Sequence, residues 1–213
     1  MIAIDGPSGA GKGTLARTVA ERLGYTHVDT GAMYRAVAWK ALEDGVPLDD
    51  DALVAALAGR ARYQQMDGTI TIDGHDVTRA IRTPEIDKAA ASVARLPQVR
   101  AVLVGQQRDL GRDGAVVMEG RDIGTVVFPA ADLKVYIDAS AEERARRRAA
   151  DPTHTAGNAA TLQSEMAARD KSDSTRLVAP LSVATDAIYI DTTAMPIESV
   201  VDQVMALVQE KLG

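Results

Sequence analysis

The chain carries GPSGAGKGT at residues 6–14, directly after an apolar run at residues 1–5 and directly before a helical pattern that starts at Lys12. Glycines let the backbone wrap around an anion with its N–H groups turned inward, and the following helix adds free amides and its positive dipole end. In such a loop a lysine reaches the β- and γ-phosphates of a nucleotide, and a threonine hydroxyl ligates Mg²⁺. This stretch therefore predicts a strand–loop–helix nucleotide site with Lys12 on the phosphates and Thr14 on magnesium.

Short apolar runs alternate with helical patterns along the rest of the chain. The runs are residues 1–5, 27–29, 115–119, 133–138 and 187–191. The helical patterns are residues 12–23, 32–44, 97–110, 141–150 and 196–212. Nearly continuous apolar strands are typical of a parallel sheet that helices cover on both faces. The alternation predicts a doubly wound α/β fold with a five-stranded parallel sheet.

Residues 62–77 break this rhythm. Two Asp-Gly pairs, at 67–68 and 73–74, bracket a short alternating segment, which predicts small antiparallel strands outside the main sheet. Thr83 and Pro84 then have the form of an N-cap and first residue of a helix that runs to Arg95. We therefore expect an inserted subdomain of roughly 40 residues, within the range of an elaborated α/β core. Residues 151–160, poor in large apolar side chains, are predicted to form a mobile loop.

Composition excludes several functional classes. The 213 residues include no cysteine, which excludes disulfides, thiol catalysis and cysteine-ligated metals. The net charge of -6 and the 3% aromatic content argue against a nucleic-acid-binding surface. No run approaches the length of a membrane span, and the first residues do not have the form of a signal peptide. We therefore expect a cytoplasmic protein.

Arginines follow the predicted strands at the carboxyl edge of the sheet, where α/β proteins bind ligands. Arg35, beside Tyr34, follows the second strand, and Arg121 follows the third. Four of the five residues at 144–148 are arginine, and Arg169 and Arg176 are spaced to share one helix face. Each alone is more often a solvated surface charge. Together they indicate a clamp for two phosphate groups, because phosphoryl transfer depends on positioning and electrostatics.

The residues alone leave several classes of P-loop protein open. The spacing with Gly13 between Lys12 and Thr14 is typical of nucleoside monophosphate kinases. Other kinases of small acceptors, acting on AMP, UMP or shikimate, are alternatives, and so is a nucleotide-dependent switch or assembly ATPase. Arginines at successive strand ends favour a kinase, because a switch protein has no second anionic substrate to hold.

Six motifs together resemble bacterial cytidylate kinases over nearly the full length of the chain. They are GPSGAGKGT at 6–14, DTGAMYR at 29–35, IRTPEI at 81–86, EGRDIGTVVFP at 119–129, DASAEERARRR at 138–148 and VAPL at 178–181. The resemblance implies one P-loop kinase domain at 1–213, with a monophosphate-binding insertion at 31–96 and a mobile lid at 146–176. It also implies transfer of the γ-phosphate of ATP to CMP or dCMP with Mg²⁺. We expect a monomer whose partners are these nucleotides.

The resemblance also implies roles for individual residues. The ATP-binding residues are Gly6, Pro7, Ser8, Gly9, Ala10, Gly11, Lys12, Gly13 and Thr14, with Thr14 on the metal. The catalytic residues are Lys12, Arg121, Arg148 and Arg176. The substrate-binding residues are Thr30, Tyr34, Arg35, Arg100, Gly120, Arg121, Asp122, Arg169, Asp173 and Arg176. Among these, Arg100 and Asp122 resemble cytosine contacts, and Arg169 and Asp173 resemble pentose contacts.

Three positions depart from the family's pattern. Ala91 stands where relatives have a serine that contacts the base, unless Ser92 takes that place after a shift of one residue. Ser172 and Ser174 stand where arginines occur in relatives. We therefore expect the lid to hold its nucleotide less tightly.

Overall fold

The computed structural model describes residues 1–66, 68–151 and 159–212. They divide into two units: residues 1–29, 110–150 and 159–212 belong to the first, and residues 30–109 to the second. In the described part of the chain, the strands are β1 (Ile2–Asp5), β2 (Thr26–Asp29), β3 (Tyr63–Met66), β4 (Thr69–Ile72), β5 (His75–Asp76), β6 (Val116–Gly120), β7 (Leu133–Asp138) and β8 (Ile188–Asp191). The helices are α1 (Lys12–Leu23), α2 (Thr30–Glu43), α3 (Asp51–Arg60), α4 (Pro84–Val93), α5 (Pro97–Leu110), α6 (Ala141–Ala149), α7 (Ala159–Thr175) and α8 (Ile197–Leu212). A 3₁₀ turn covers Ala80–Arg82, and a π-helical turn covers Ile123–Val127.

The first unit is built on a parallel sheet with the strand order β2-β6-β1-β7-β8. This confirms the five-stranded parallel sheet predicted from the apolar runs, with strand ends that differ by at most one residue. The register places Asp5 beside Gly120 and Asp29 beside Glu119. The carboxyl ends of β1, β2 and β6 therefore meet at one edge of the sheet, where the sequence places its charged motifs.

The core of the first unit lies between the sheet and helices α1 and α8. Ile2 and Ile4 from β1, Leu15 from α1 and Val204 from α8 are fully buried in it. Burial of each side chain of this size stabilises the fold by about 1.5–3 kcal/mol. The face of α1 that carries Leu15 therefore anchors the helix whose first residue is Lys12.

The second unit combines helices α2 to α5 with a small antiparallel sheet in the order β3-β4-β5. Ile70 and Ile72 of β4 pack with Ala36 of α2 in one buried cluster. Asp73 and Gly74 connect β4 to β5, and both have positive φ, as a two-residue hairpin turn requires. This confirms the antiparallel strands predicted from the Asp-Gly pairs.

Three features of the fold differ from the sequence predictions or add to them. Helix α2 begins at Thr30, two residues before the predicted start, so Thr30 belongs to the helix itself. Helix α3 was not predicted, although Asp50 caps it by accepting a hydrogen bond from the Leu53 amide at 3.0 Å. Helix α7 begins at Ala159, which shortens the loop predicted at 151–160; residues 152–158 lie outside the described residues. The insertion at 31–96 and the lid at 146–176 stay predictions.

In the described ranges, no helix combines the length and the apolar character needed to cross a bilayer.

Candidate active site

The phosphate loop, residues 6–14, joins β1 to α1 as predicted. At Gly6 a Cβ atom would lie 2.1 Å from the Ile137 carbonyl oxygen, so any side chain there would displace the loop from β7. Gly11 occupies the N-cap position of α1 with φ 96°, a left-handed conformation that glycine adopts at little cost. A glycine at this position offers no side chain to the first amides of α1, which is the arrangement that anion-binding helix ends use.

Lys12 is buried in the phosphate loop, with 6% of its surface exposed. Its ammonium donates a hydrogen bond to the Pro7 carbonyl oxygen at 2.7 Å. Burial, reinforced by the nearby Arg121 charge, lowers the Lys12 pKa to about 7, although the Glu119 and Asp5 carboxylates oppose the shift. A nucleotide phosphate would supply the negative charge that this buried cation needs to stay protonated.

Glu119, the penultimate residue of β6, is a buried carboxylate beside the loop that sequence reasoning missed. Its Oε1 lies 3.1 Å from His27 Nε2, and a Cβ atom at Gly13 would lie 3.2 Å from the same oxygen. A longer residue at position 13 would therefore crowd this carboxylate. Its position at the carboxyl end of a strand could have marked Glu119 as a site residue. Its pairing with His27 could not be predicted, because the two residues are 92 positions apart in the chain.

Oxygen donors near the loop fit a magnesium ion. Thr14 carries a hydroxyl in the first turn of α1, and the Glu119 carboxylate lies beside the preceding Gly13. Mg²⁺ prefers oxygen ligands and is typically held by one or two protein groups together with substrate phosphates. Among the described residues no group of three or more His, Cys, Asp or Glu forms a metal cage.

Arg121, Asp122, Asp173 and Arg176 come together in the first unit and are called here the arginine–aspartate cluster. Arg121 Nε lies 2.9 Å from Asp173 Oδ2, and Arg176 Nη2 lies 3.3 Å from Asp122 Oδ1. Arg176 Nη1 is also 4.0 Å from Asp173 Oδ1. The structure thus joins two residues that follow β6 with Asp173 from the last turn of α7 and Arg176 directly after it, and all four were predicted to bind substrate.

Charge pairing in the cluster outweighs the effect of burial. Burial alone would lower the pKa of the Arg121 guanidinium, but Asp173 raises it above its ordinary value. Burial likewise acts to raise the pKa of the Asp173 carboxyl, and Arg121, Arg169 and Arg176 together lower it. Arg121 therefore stays protonated and Asp173 stays ionised at any physiological pH, and Arg169 contributes to the field at Asp173. These guanidiniums have the planar, bidentate form that suits phosphate oxygens.

Asp5, at the end of β1, binds the turn that follows Arg121 and Asp122. Its Oδ1 accepts a hydrogen bond from the Ile123 amide and its Oδ2 accepts one from the Gly124 amide, both at 2.8 Å. Burial raises the Asp5 pKa to about 6, and the Asp122 charge adds to the rise, whereas the two amides and Lys12 oppose it. Asp5 thus caps a turn that lies 118 residues away along the chain.

The predicted residues of the second unit lie on α2 and α5. Thr30 is buried at the start of α2, and Tyr34 and Arg35 are half-buried one turn later. Arg100, on α5, is 2% exposed, and its guanidinium carbon lies 5.6 Å from the centre of the Tyr34 ring, a cation–π geometry. The structure therefore brings Tyr34 and Arg100 together.

Ser92 is exposed on α4, and its hydroxyl donates to the Lys88 carbonyl at 3.3 Å.

Helices α6 and α7 contact the outer part of the phosphate loop. The Ser8 amide donates to Asp170 Oδ1 at 3.2 Å, and Arg144 Nη1 donates both to the Ser8 carbonyl at 3.0 Å and to Asp170 Oδ2. Arg147 Nη1 donates to the Ala10 carbonyl oxygen at 3.1 Å. Arg147 was predicted only as part of the arginine run at 144–148, and Asp170 only as part of the lid, because such a run does not reveal which side chain faces the loop.

Arg148 is half-buried near the end of the same helix α6.

Comparison with known proteins identifies the family. The sequence model of the family described as cytidylate kinase matches residues 2–210. The cytidylate kinase of Solibacter usitatus is 47% identical, over 100% of this chain and 93% of its own length. The cytidylate kinase of Geobacillus sp. is also 47% identical, over 100% of this chain and 97% of its own length.

This chain belongs to the cytidylate kinase family.

Solved structures support the fold of this family member. A gluconokinase from Sinorhizobium meliloti superposes with a TM-score of 0.53 and 16% identity, covering 99% of this chain and 92% of that one. At that identity the likeness shows the P-loop kinase fold alone. Family membership carries ATP-dependent phosphotransfer as the reaction class, which the phosphate loop fits.

Proposed function

We propose that this chain transfers the γ-phosphate of ATP to CMP or dCMP, giving ADP and CDP or dCDP. The observation that carries the proposal is the match of the cytidylate kinase family to residues 2–210, nearly the whole chain. The two relatives described above are both named cytidylate kinase, and this chain is similar to them over nearly their full length. The relatives named above do not favour AMP, UMP or shikimate as the acceptor. The gluconokinase structure shares only the fold with this chain, so it does not indicate an acceptor.

ATP binds at the phosphate loop in this proposal, through the backbone amides of residues 6–14 other than Pro7, which has no N–H. Lys12 exchanges its hydrogen bond with the Pro7 carbonyl for the β- and γ-phosphates, because a charged acceptor forms the stronger bond. Thr14 and Glu119 hold Mg²⁺ with the ATP, and the ion supplies charge neutralisation at the phosphates. Arg148 adds positive charge as a lid residue.

The arginines bind the acceptor phosphate and stabilise the charge that develops during transfer. Arg121 and Arg176 are held in place by Asp173 and Asp122 in the arginine–aspartate cluster, which supports a preorganised role for both. Arg35 has the same chemistry on α2. Phosphoryl transfer spreads negative charge over three oxygens, so catalysis here consists of positioning and electrostatic stabilisation.

Asp122 and Arg100 read the cytosine in this proposal. A carboxylate accepts a hydrogen bond from the N4 amino group of cytosine, whereas uracil offers an acceptor at O4. A guanidinium donates to the neighbouring acceptors N3 and O2. Tyr34 supports Arg100 through the cation–π contact at 5.6 Å.

The remaining acceptor contacts fall to Thr30, Gly120, Arg169 and Asp173. Asp173 and Arg169 contact the pentose, while Thr30 and Gly120 line the monophosphate site. We further propose a cytoplasmic monomer without nucleic-acid partners, for which the net charge of -6 and the absence of cysteine in the sequence argue.

ADP formation with and without an acceptor tests this function. Purified protein with Mg²⁺ and ATP is expected to release ADP only when CMP or dCMP is added, with one CDP or dCDP formed per ADP. ADP release independent of any acceptor would instead indicate an ATPase or switch. Release that required AMP or shikimate would assign a different acceptor kinase.

A further inference from the structure

The carboxylate of Asp5 connects the strand before the phosphate loop to the segment that carries Arg121 and Asp122. Each of its oxygens accepts one backbone amide, from Ile123 and from Gly124, at 2.8 Å. Asp5 is 5% exposed, and a Cβ atom at Gly124 would lie 3.4 Å from Asp5 Oδ2 and 3.1 Å from the Lys134 side chain. A side chain at position 124 would therefore be crowded by Lys134 and would meet the Asp5 carboxylate at an ordinary van der Waals distance.

The turn bound by Asp5 has an unusual hydrogen-bond pattern. The amides of Val127 and Phe128 bond to the carbonyls of Asp122 and Ile123, five residues back, at 3.1 and 2.7 Å. Such π-helical turns are rare and frequently lie at functional sites. Asp122 occupies the N-cap position of this turn, where an aspartate ordinarily accepts the first free amides with its own side chain.

Asp122 does not perform that capping role in this fully described turn. Its carboxylate instead faces Arg176, with Oδ1 3.3 Å from Nη2. Asp5, at the end of the neighbouring strand β1, accepts the Ile123 and Gly124 amides in its place. The free amides at the start of a turn are strong donors, so they compete with other partners for the side chain of an aspartate at the N-cap. An external cap removes that competition.

We infer that Asp5 is a positioning residue for base recognition: by capping the turn after Asp122, it keeps the Asp122 carboxylate directed at the substrate site. The inference rests on the proposed cytosine contact of Asp122. Without the Asp5 cap, the Ile123 and Gly124 amides would attract the Asp122 carboxylate into the ordinary N-cap position. Asp122 would then leave Arg176 and lose its contact with cytosine.

Asp5→Asn is the first test, because asparagine keeps the size of the side chain but presents an NH₂ group to one of the two amides. The ratio of kcat/KM for CMP to that for UMP is expected to fall about tenfold, the scale of one unpaired polar group. KM for CMP is expected to rise, because the cytosine contact is weakened. A merely structural weakening would lower turnover with both acceptors equally and leave the ratio unchanged.

A double-mutant cycle with Asp122→Ala tests whether Asp5 acts through Asp122. Asp5→Asn is expected to leave the CMP-to-UMP ratio of the Asp122→Ala protein unchanged, because no carboxylate remains to be positioned. Asp138→Asn is the matched control, since Asp138 ends the neighbouring strand β7 and accepts the Ala139 amide at 2.7 Å. It is expected to keep the wild-type ratio.

Gly124→Ala changes the contact between Asp5 and Gly124 at its other residue, and it is used if Asp5→Asn does not fold. The added methyl group would crowd the Lys134 side chain and contact Asp5 Oδ2, so it is expected to disturb the turn and lower the ratio in the same direction. If Asp122→Ala leaves the ratio unchanged, the proposed base contact is wrong and the inference falls with it. If Asp122→Ala lowers the ratio but Asp5→Asn and Gly124→Ala do not, the inference alone is overturned.

Discussion

The phosphate loop and the arginine–aspartate cluster bind anions by different physical means. The loop is nine consecutive residues that include one buried cation, Lys12, and burial brings the Lys12 pKa down to about 7. The cluster is assembled from two distant segments, and its carboxylates keep Arg121 charged. The loop thus gains charge stabilisation when a phosphate arrives, whereas the cluster must exchange an internal ion pair for a substrate oxygen. We expect loop variants to change mainly the rate and cluster variants mainly the affinity for the acceptor.

Lys12→Met should have the largest effect. Removing one preorganised donor from a site of developing negative charge typically lowers the rate about 10²- to 10³-fold. Steady-state turnover with saturating ATP and CMP measures the loss, and a thermal melt checks the fold. Lys40→Met is the matched control, because the Lys40 ammonium pairs with Asp44, the residue directly after its own helix, at 2.7 Å. A folded Lys12→Met protein with near-normal turnover would remove the loop lysine from the mechanism.

Arg121→Ala should act next, through the acceptor. Loss of a charged hydrogen bond to phosphate is expected to weaken CMP binding about 10- to 100-fold, while ATP binding measured alone stays near the wild-type value. Arg35→Ala is expected to behave in the same way. Isothermal titration calorimetry with each nucleotide separately distinguishes the two effects.

The matched control for Arg121→Ala is Arg22→Ala, which removes only a surface pair with Asp202 at 2.7 Å. The site assignment would be reversed if Arg121→Ala abolished ATP binding and left CMP binding intact.

Local signals in the sequence were sufficient for the sheet and the loop, and the contacts between distant residues were not. The strands were predicted because five apolar runs stood between helical patterns, and the loop because its glycines and Lys12 are adjacent in the chain. The pairs His27–Glu119 and Ser8–Asp170 join residues 92 and 162 positions apart, so no spacing rule reveals them. Helix α3 was missed although Asp50 is an ordinary N-cap residue, because its alanine-rich pattern carries little periodicity.

Proton uptake on nucleotide binding is the smallest expected effect and distinguishes the loop from the cluster. With a pKa of about 7, Lys12 is mostly neutral at pH 8 in the free protein, and a bound phosphate raises this pKa. Binding of Mg²⁺ and ATP at pH 8 should therefore take up as much as about 0.9 proton, and affinity should fall as the pH rises above 7.

Calorimetry in buffers of different ionisation enthalpy measures this uptake. Wild-type protein is expected to show an observed enthalpy that depends on the buffer, and Lys12→Met should not. CMP binding should show little dependence, since the cluster arginines stay charged. A buffer-independent enthalpy for ATP in the wild type would mean that Lys12 is already protonated in the free loop.

The specificity constants for CMP and UMP, measured side by side on the unmodified protein, test the proposed function most directly. Cytosine satisfies both Asp122 and Arg100, whereas uracil leaves the carboxylate facing an oxygen. An unpaired buried polar group costs about 1–3 kcal/mol, so kcat/KM for CMP should exceed that for UMP by about 5- to 160-fold. Equal specificity constants for CMP and UMP would contradict the assignment of this chain as a kinase selective for cytosine nucleotides.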